Sequence, residues 1–470
     1  MWIVALLIAG AAAAAPATRD STSYPSIEAL TLYSRGRLLE ERGDPAAALE
    51  TFYRVLATDP RSVEALRRVS DLTGQQGEPT RSLEFADRAL ALSPDDARSL
   101  WLRGSALFNL GRVDESLQAL NRAVQIDPEN DQFWRTLAHV AEQQDQIDRV
   151  AEAYDHVVFL TPDDAESWFQ LAGARARLGQ FGAADTALAE SRDLNPLRPG
   201  TDFLEGWIDE GLGRDDSAIE MYTHHLTLHP DDVLTRQRLV VLLAGRKRYP
   251  EALQHAKKVR EAKPRDPEAL ETEADLSFRV GNNDDAHARL AELQKLDPDD
   301  AQLQWRSALV LTRHKRDAEA VTLAGTWTRR HPGDYRGPML QARVYALDDD
   351  TERALASARQ AVSMAPDSLA PQITLGRIAQ QARRWPEAAA VWDSLHRRYP
   401  RQAPVAMDLA FCREQMGDVD GAVAAAREAL AVAPAEATVL NFLGYLLADH
   451  NRDLQAALRM IQQALAQDPD

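Results

Sequence analysis

Along this chain, apolar residues recur at helical spacing over two short stretches separated by a breaker, and the pattern then begins again. The clearest copy runs from Ala97 to Asn130, with Leu100, Trp101, Gly104, Leu107 and Phe108 in its first stretch and Ser116, Leu120 and Ala123 in its second. Apolar positions three and four apart define one face of an α-helix, so each copy predicts two antiparallel helices, with a proline turn leading to the next. The prolines carry the period. Pro60, Pro94, Pro128, Pro162, Pro196, Pro230, Pro264, Pro298, Pro332, Pro366, Pro400 and Pro434 follow one another at equal intervals of 34 residues, and Pro469 comes after 35. Such a period predicts a solenoid, in which each unit buries its apolar face against its neighbours.

With the proline counted as position 32, thirteen units begin at Ala29, Val63, Ala97, Asp131, Ala165, Pro199, Val233, Pro267, Ala301, Tyr335, Leu369, Ala403 and Ala437. Position 8 is small in every unit except for Val240, and position 20 is Ala, Ser or Val. Small side chains there let helix axes approach closely. Position 15, where the first helix must end on a left-handed residue, carries Gly43, Gly77, Gly111, Gly179, Gly213, Gly281 and Gly417, with Asp145, Asp349 and Asn451 as tolerable substitutes. Small at 8, Gly at 15, small at 20, apolar or aromatic at 24 (Phe52, Tyr154, Tyr222, Trp392) and Pro at 32 resembles the tetratricopeptide repeat over residues 29–470. The resemblance implies an all-α, right-handed superhelical solenoid of stacked helix pairs. It also implies a concave groove that binds peptides or proteins, in a protein of the exported bacterial type.

The N-terminus bears on location. Residues 1–17 contain no charged side chain: an apolar run from Trp2 to Ala9 is followed by an alanine tract and Ala15-Pro16-Ala17. That reads as a signal peptide cleaved before Thr18, placing the chain in the periplasm or outside the cell. An uncleaved anchor is the alternative, although the run is shorter than the ~20 residues that span a bilayer. Residues 18–28 form a short polar leader, and the solenoid occupies 29–470. The last unit ends without a polar capping helix, so an apolar strip at Leu458, Ile461 and Leu465 is expected to lie uncovered; the chain is then either part of a longer protein or meets a partner there.

Charge narrows the partner. Asp and Glu number 72 against 54 Lys and Arg, a net charge of −18, which argues against nucleic acid, whose phosphates require clustered cations. One unit departs from this background: residues 233–266 hold ten bases and three acids. Arg246, Lys247, Arg248, Lys257, Lys258, Arg260 and Lys263 are read either as a solvated face or as a basic patch for an anionic partner or self-association.

Candidate chemistry is sparse. The repeated Pro-Asp-Asp at Pro94, Pro162, Pro230 and Pro298, and the run Asp348-Asp349-Asp350, read as helix caps rather than metal sites. His225 and His229 lie one helical turn apart, with His224 beside them, but no further ligand completes a zinc set, and no metal or cofactor is expected. The lone Cys412 reads as a small buried hydrophobe. No nucleotide-binding, zinc-protease or nucleophile-elbow motif occurs.

In the resembling family the first helices line the groove, chiefly at positions 2, 5, 9 and 12. Positions 5, 9 and 12 of the third to ninth units present Trp101, Phe108, Phe169, Phe203, Trp207, Phe278 and Trp305, with Arg135, His139, Glu142, Glu210, Gln237, Glu271 and Asp275 among them. These rings are a candidate binding track; the competing reading is that they pack between neighbouring helices, since Trp101 and Trp305 lie one place after the family's usual packing Trp. The co-chaperone clamp of the family, built from Lys, Asn and Arg at set positions in three consecutive repeats, is absent. The expected function is a non-catalytic protein-binding scaffold or assembly factor. The alternatives are the recruiting arm of a longer enzyme and a cytoplasmic adaptor.

Overall fold

The computed structural model describes residues 26–467. The expected signal peptide and most of the polar leader lie outside the described residues, and the first helix already begins at Ile27, capped by the Ser26 hydroxyl. Among the described residues there are 26 helices and no strand, in thirteen antiparallel pairs that follow the sequence units one for one. The fold is an all-α solenoid of stacked helix pairs. It divides into two compact units, one ending at Leu228 with six pairs and one starting at His229 with seven. In the first unit a continuous core runs from Ala86 to Ile208. In the second, one core spans Ala274 to Val344 and another Ala342 to Ala457. No helix of the described residues is long and apolar enough to cross a membrane.

Within each pair, the two helices meet where position 8 approaches positions 20 and 24. Ser116 at position 20 donates its hydroxyl to the carbonyl of Gly104 at position 8, at 2.7 Å, and Ser70 donates to the carbonyl of Ser82 at 2.8 Å. A Cβ on Gly36 would stand 2.7 Å from the Phe52 ring; on Gly206, 2.7 Å from Tyr222; on Gly376, 2.7 Å from Trp392; on Gly104, 2.6 Å from Leu120; and on Gly444, 2.7 Å from Ile461. Each of these large residues sits at position 24 of the same unit, with Ile461 displaced by the one-residue insertion. Where position 24 is Ala86, Ala256, Ala324, Ala358 or Ala426, position 8 carries Ser70, Val240, Ala308, Ala342 or Ala410 instead. Glycine at position 8 thus always faces a large position 24, alanine at position 8 faces Tyr154, Leu188 and Leu290 as well as alanines, and Val240 faces the small Ala256.

The turn between the helices of a pair is uniform. The backbone N–H of the residue at position 16 donates to the carbonyl five residues back in all thirteen units, from Asp44 to Leu39 at 3.0 Å through Arg452 to Leu447 at 2.8 Å. This is the six-to-one bond of a Schellman ending, which requires a left-handed residue at position 15. All thirteen residues there have positive φ. Glycine, Asp and Asn were expected; Lys247 (φ 60°), Lys315 (φ 59°) and Arg383 (φ 55°) take the same conformation. Their steric cost is outweighed by the packing of the two helices that the turn joins. The next helix pair is entered through an aspartate cap: Asp96, Asp164, Asp232 and Asp300, the second acid of each Pro-Asp-Asp, accept backbone N–H groups at 2.8, 3.1, 3.0 and 2.7 Å.

Because a side chain in the left-handed region costs about 1 kcal/mol that glycine avoids, Lys315→Gly is expected to stabilise the ninth repeat by roughly that amount. Native-state hydrogen exchange reads it: amides of residues 301–330 should gain up to about fivefold protection, and unchanged or weakened protection would contradict the account.

Candidate functional site

In the first unit Trp101 and Phe108 lie along the seam between successive repeats, whereas Phe203 packs within its own repeat. Trp101 is buried; it stacks on Phe133 with centroids 5.9 Å apart, and its indole N–H donates to the Thr136 hydroxyl at 2.8 Å. Phe108 meets His139 edge-on at 5.3 Å. Phe169 lies 3.2 Å below the Arg198 guanidinium, which pairs with Glu166. Phe203 stands beside Tyr222 and His225, at 6.0 and 5.7 Å. Phe108, Phe169 and Trp207 are half-buried against the core that contains Trp101. In the second unit Phe278 is buried between His287 and His314, at 5.3 and 5.0 Å, and half-buried Trp305 is covered by Arg343 at 3.6 Å. Four of the rings, Trp101, Phe108, Phe278 and Trp305, are thus covered by a residue of the following repeat.

More exposed side chains stand elsewhere on the same helix face. In the second unit Leu234 at position 2 is 56% exposed, and Val241, Phe411 and Tyr445, all at position 9, are 68%, 37% and 54% exposed. Between Val241 and Phe411 the same position holds Asp275, Leu309, Arg343 and Arg377. Continuing the position-9 count past the ninth repeat would have found Phe411 and Tyr445. A concavity along the first helices of the seventh to ninth repeats is lined by Val241, Glu271, Thr272, Asp275 and Arg313. Burial pushes the Asp275 carboxyl upward, but hydrogen bonds and charge from Arg279 and His314 outweigh it and hold the group below the ordinary aspartate range.

The basic repeat is not one open surface. Lys257 pairs with Asp285 at 3.1 Å, Arg248 with Glu251 at 2.8 Å, and Lys263 donates to the Gln237 side chain at 3.3 Å. Arg260 donates at 2.8 Å to Glu273, a carboxylate only 2% exposed in the eighth repeat, whose other oxygen lies 3.9 Å from Arg289. Lys257 and Arg260 thus hold the seventh repeat to the eighth, whereas Arg248 and Lys263 bond within the seventh. Arg246, Lys247 and Lys258 are exposed, and Lys247 also forms the left-handed turn.

The remaining candidates are placed simply. Cys412 is fully buried, and burial pushes its thiol up to about 11, leaving little reactive thiolate. His225 is buried, and His224 bonds Asp202 at 2.9 Å. Among the described residues no group of His, Cys, Asp and Glu is arranged to hold a metal. Asp350 caps its helix through the Arg353 N–H at 3.1 Å, and Asp349 is the left-handed residue beside it. In the last helix Leu458 and Leu465 are 57% and 54% exposed, and Ile461 is partly covered.

Removing Arg260 would leave the Glu273 charge buried with only a distant cation. Arg260→Ala is therefore expected to cost about 3 kcal/mol or more, whereas Lys258→Glu, two residues away and exposed, should stay within about 0.5 kcal/mol. Urea denaturation followed by exchange in residues 233–296 separates the two; equal effects would show that Arg260 is not structural.

Two family models, both described as Tetratricopeptide repeat, match the chain, one over residues 33–97, 70–131, 272–335 and 413–470 and the other over 107–174. No curated protein matches it. Among solved structures, the chain is similar to MamA (21% identity, 34% of this chain and 94% of that one, TM-score 0.32). It is also similar to pilF of Pseudomonas aeruginosa (20% identity, 43% and 92%, TM-score 0.37) and to yeast Tom70 (16% identity, 93% and 95%, TM-score 0.33). The matched stretches together cover more than half of a sequence whose 34-residue units each fold as one helix pair, and the chain belongs to the tetratricopeptide-repeat family.

Proposed function

We propose that the chain is a non-catalytic scaffold that binds segments of partner proteins along the face formed by the first helices of its repeats. The observation that carries this reading is the set of exposed apolar side chains at positions 2 and 9, Leu234, Val241, Phe411 and Tyr445, on helices whose other apolar positions are consumed in packing. Buried aromatic anchors dominate interface energy, and extended or helical segments with spaced apolar side chains suit such a face. Phe203 and Trp207, half-buried in the sixth repeat, extend the same reading to the first unit.

Affinity capture with the full chain, followed by titration of the recovered partner, tests it. Phe411→Ala with Tyr445→Ala is expected to lose about 2 kcal/mol or more of binding with helicity and melting unchanged. Phe203→Ala with Trp207→Ala is expected to lose binding and some stability together, because those rings also touch the core. If neither pair weakens any captured interaction, the face is not the binding surface.

We further infer that this scaffold works outside the cytoplasm. Support comes from the uncharged, apolar residues 1–17 and their Ala15-Pro16-Ala17 ending. N-terminal sequencing of the extracytoplasmic protein should begin at Thr18; a mature species that keeps Met1 in the cytoplasm would overturn the inference.

A further inference from the structure

The described arginines of the tenth to twelfth repeats mostly have carboxylate partners: Arg336 with Asp334, Arg353 with Asp350, Arg359 with Glu387, Arg384 with Glu352, Arg398 with Asp367 and Arg413 with Asp393. In a chain with an excess of acids this is the expected state of a cation. Among the described residues Arg383, Arg401 and Arg427 lack such a partner, as do Arg343 and Arg377, and of these five only Arg343 and Arg377 share a register. They occupy the same position 9 on the first helices of neighbouring repeats, and among the described residues neither forms an ion pair. Arg343 is half-buried, with its guanidinium held 3.6 Å over the face of Trp305. Burial and the like charge of Arg377 both pull it below the ordinary arginine range. Asp408, a carboxyl that feels Arg377, accepts from the Gln380 amide at 3.2 Å and is raised above the ordinary aspartate range by its own burial.

We propose that Arg343 and Arg377 form an acceptor for an acidic side chain of a partner protein, and that Phe411 and Tyr445 receive apolar side chains from the same segment. The stack on Trp305 fixes the Arg343 fork before binding, and a fixed guanidinium suits a carboxylate better than a mobile ammonium does. The carboxylate would neutralise two cations that repel each other. The occupant is a protein segment rather than a free anion because the column continues without further charge into two exposed rings, Phe411 and Tyr445. First helices of adjacent repeats lie about 10 Å apart, roughly three residues of extended chain. The matching motif is therefore one or two acids with apolar residues following at intervals of about three.

This inference rests on the scaffold reading and specifies its partner. The test uses the full chain and three pools of immobilised synthetic dodecapeptides: acids with spaced Leu or Phe, Lys in place of the acids, and Ser in place of the apolar residues. The acidic-apolar pool is expected to bind at least about tenfold more tightly than either control. Arg343→Gln with Arg377→Gln should abolish that preference while melting stays the same or rises, and Arg343→Glu with Arg377→Glu should transfer it to the Lys pool. Equal binding of the acidic and Lys pools would overturn the inference and leave the scaffold reading standing. Failure of every pool, with no partner captured by the full chain, would remove both. Saturable binding of inorganic phosphate at the two arginines without binding of the acidic pool would show a free-anion site and overturn the docking proposal.

Discussion

The solenoid depends on how closely the two helices of each pair can approach. Where position 8 is glycine, a Phe, Tyr, Trp, Leu or Ile from position 24 fills the space a Cβ would take, and where position 24 is alanine a larger residue returns at position 8. Adding a methyl to Gly376 against Trp392 would strain the contact by about 1–3 kcal/mol, while truncating Trp392 would leave a cavity costing about 3–5 kcal/mol. The helix separation within a pair sets the tilt at which the next pair can stack. The aspartate caps and proline turns deliver the chain to that stacking surface.

Much of this was legible in the sequence because the period repeats the same physical requirement thirteen times. The Schellman turn shows how far that reaches: seven glycines, two aspartates and an asparagine announce a left-handed residue at position 15. Lys247, Lys315 and Arg383 do not, and only the register identifies them. Residue type alone fails there because tertiary packing overrides a local preference worth about 1 kcal/mol. The compensation between positions 8 and 24 was harder to see, since it is a relation between two columns rather than a property of either.

The candidate surface was less legible. Position counting finds helix faces, but it cannot tell a ring at the rim of a groove from one lodged between repeats, because both are apolar at the same spacing. Trp101 and Phe278 are buried, while Phe411 and Tyr445, at position 9 in later repeats, are open. Charge counting had a related difficulty. The excess of bases in residues 233–266 is real, but Lys257 and Arg260 are matched by Asp285 and Glu273 of the next repeat. A net charge summed within one unit misses a partner supplied by its neighbour.

The shared volume of positions 8 and 24 also constrains how such arrays can be cut and rejoined. A junction placed after position 24 of one unit and before position 8 of the next moves both halves of every contact together, so whole-period duplications, deletions and chimaeras keep their fit. A junction inside a unit, between the two positions, can join the alanine of one repeat to the tryptophan of another or leave a glycine facing an alanine. The period is unbroken in both cases, but only the first placement keeps every glycine opposite the large side chain that fills its space.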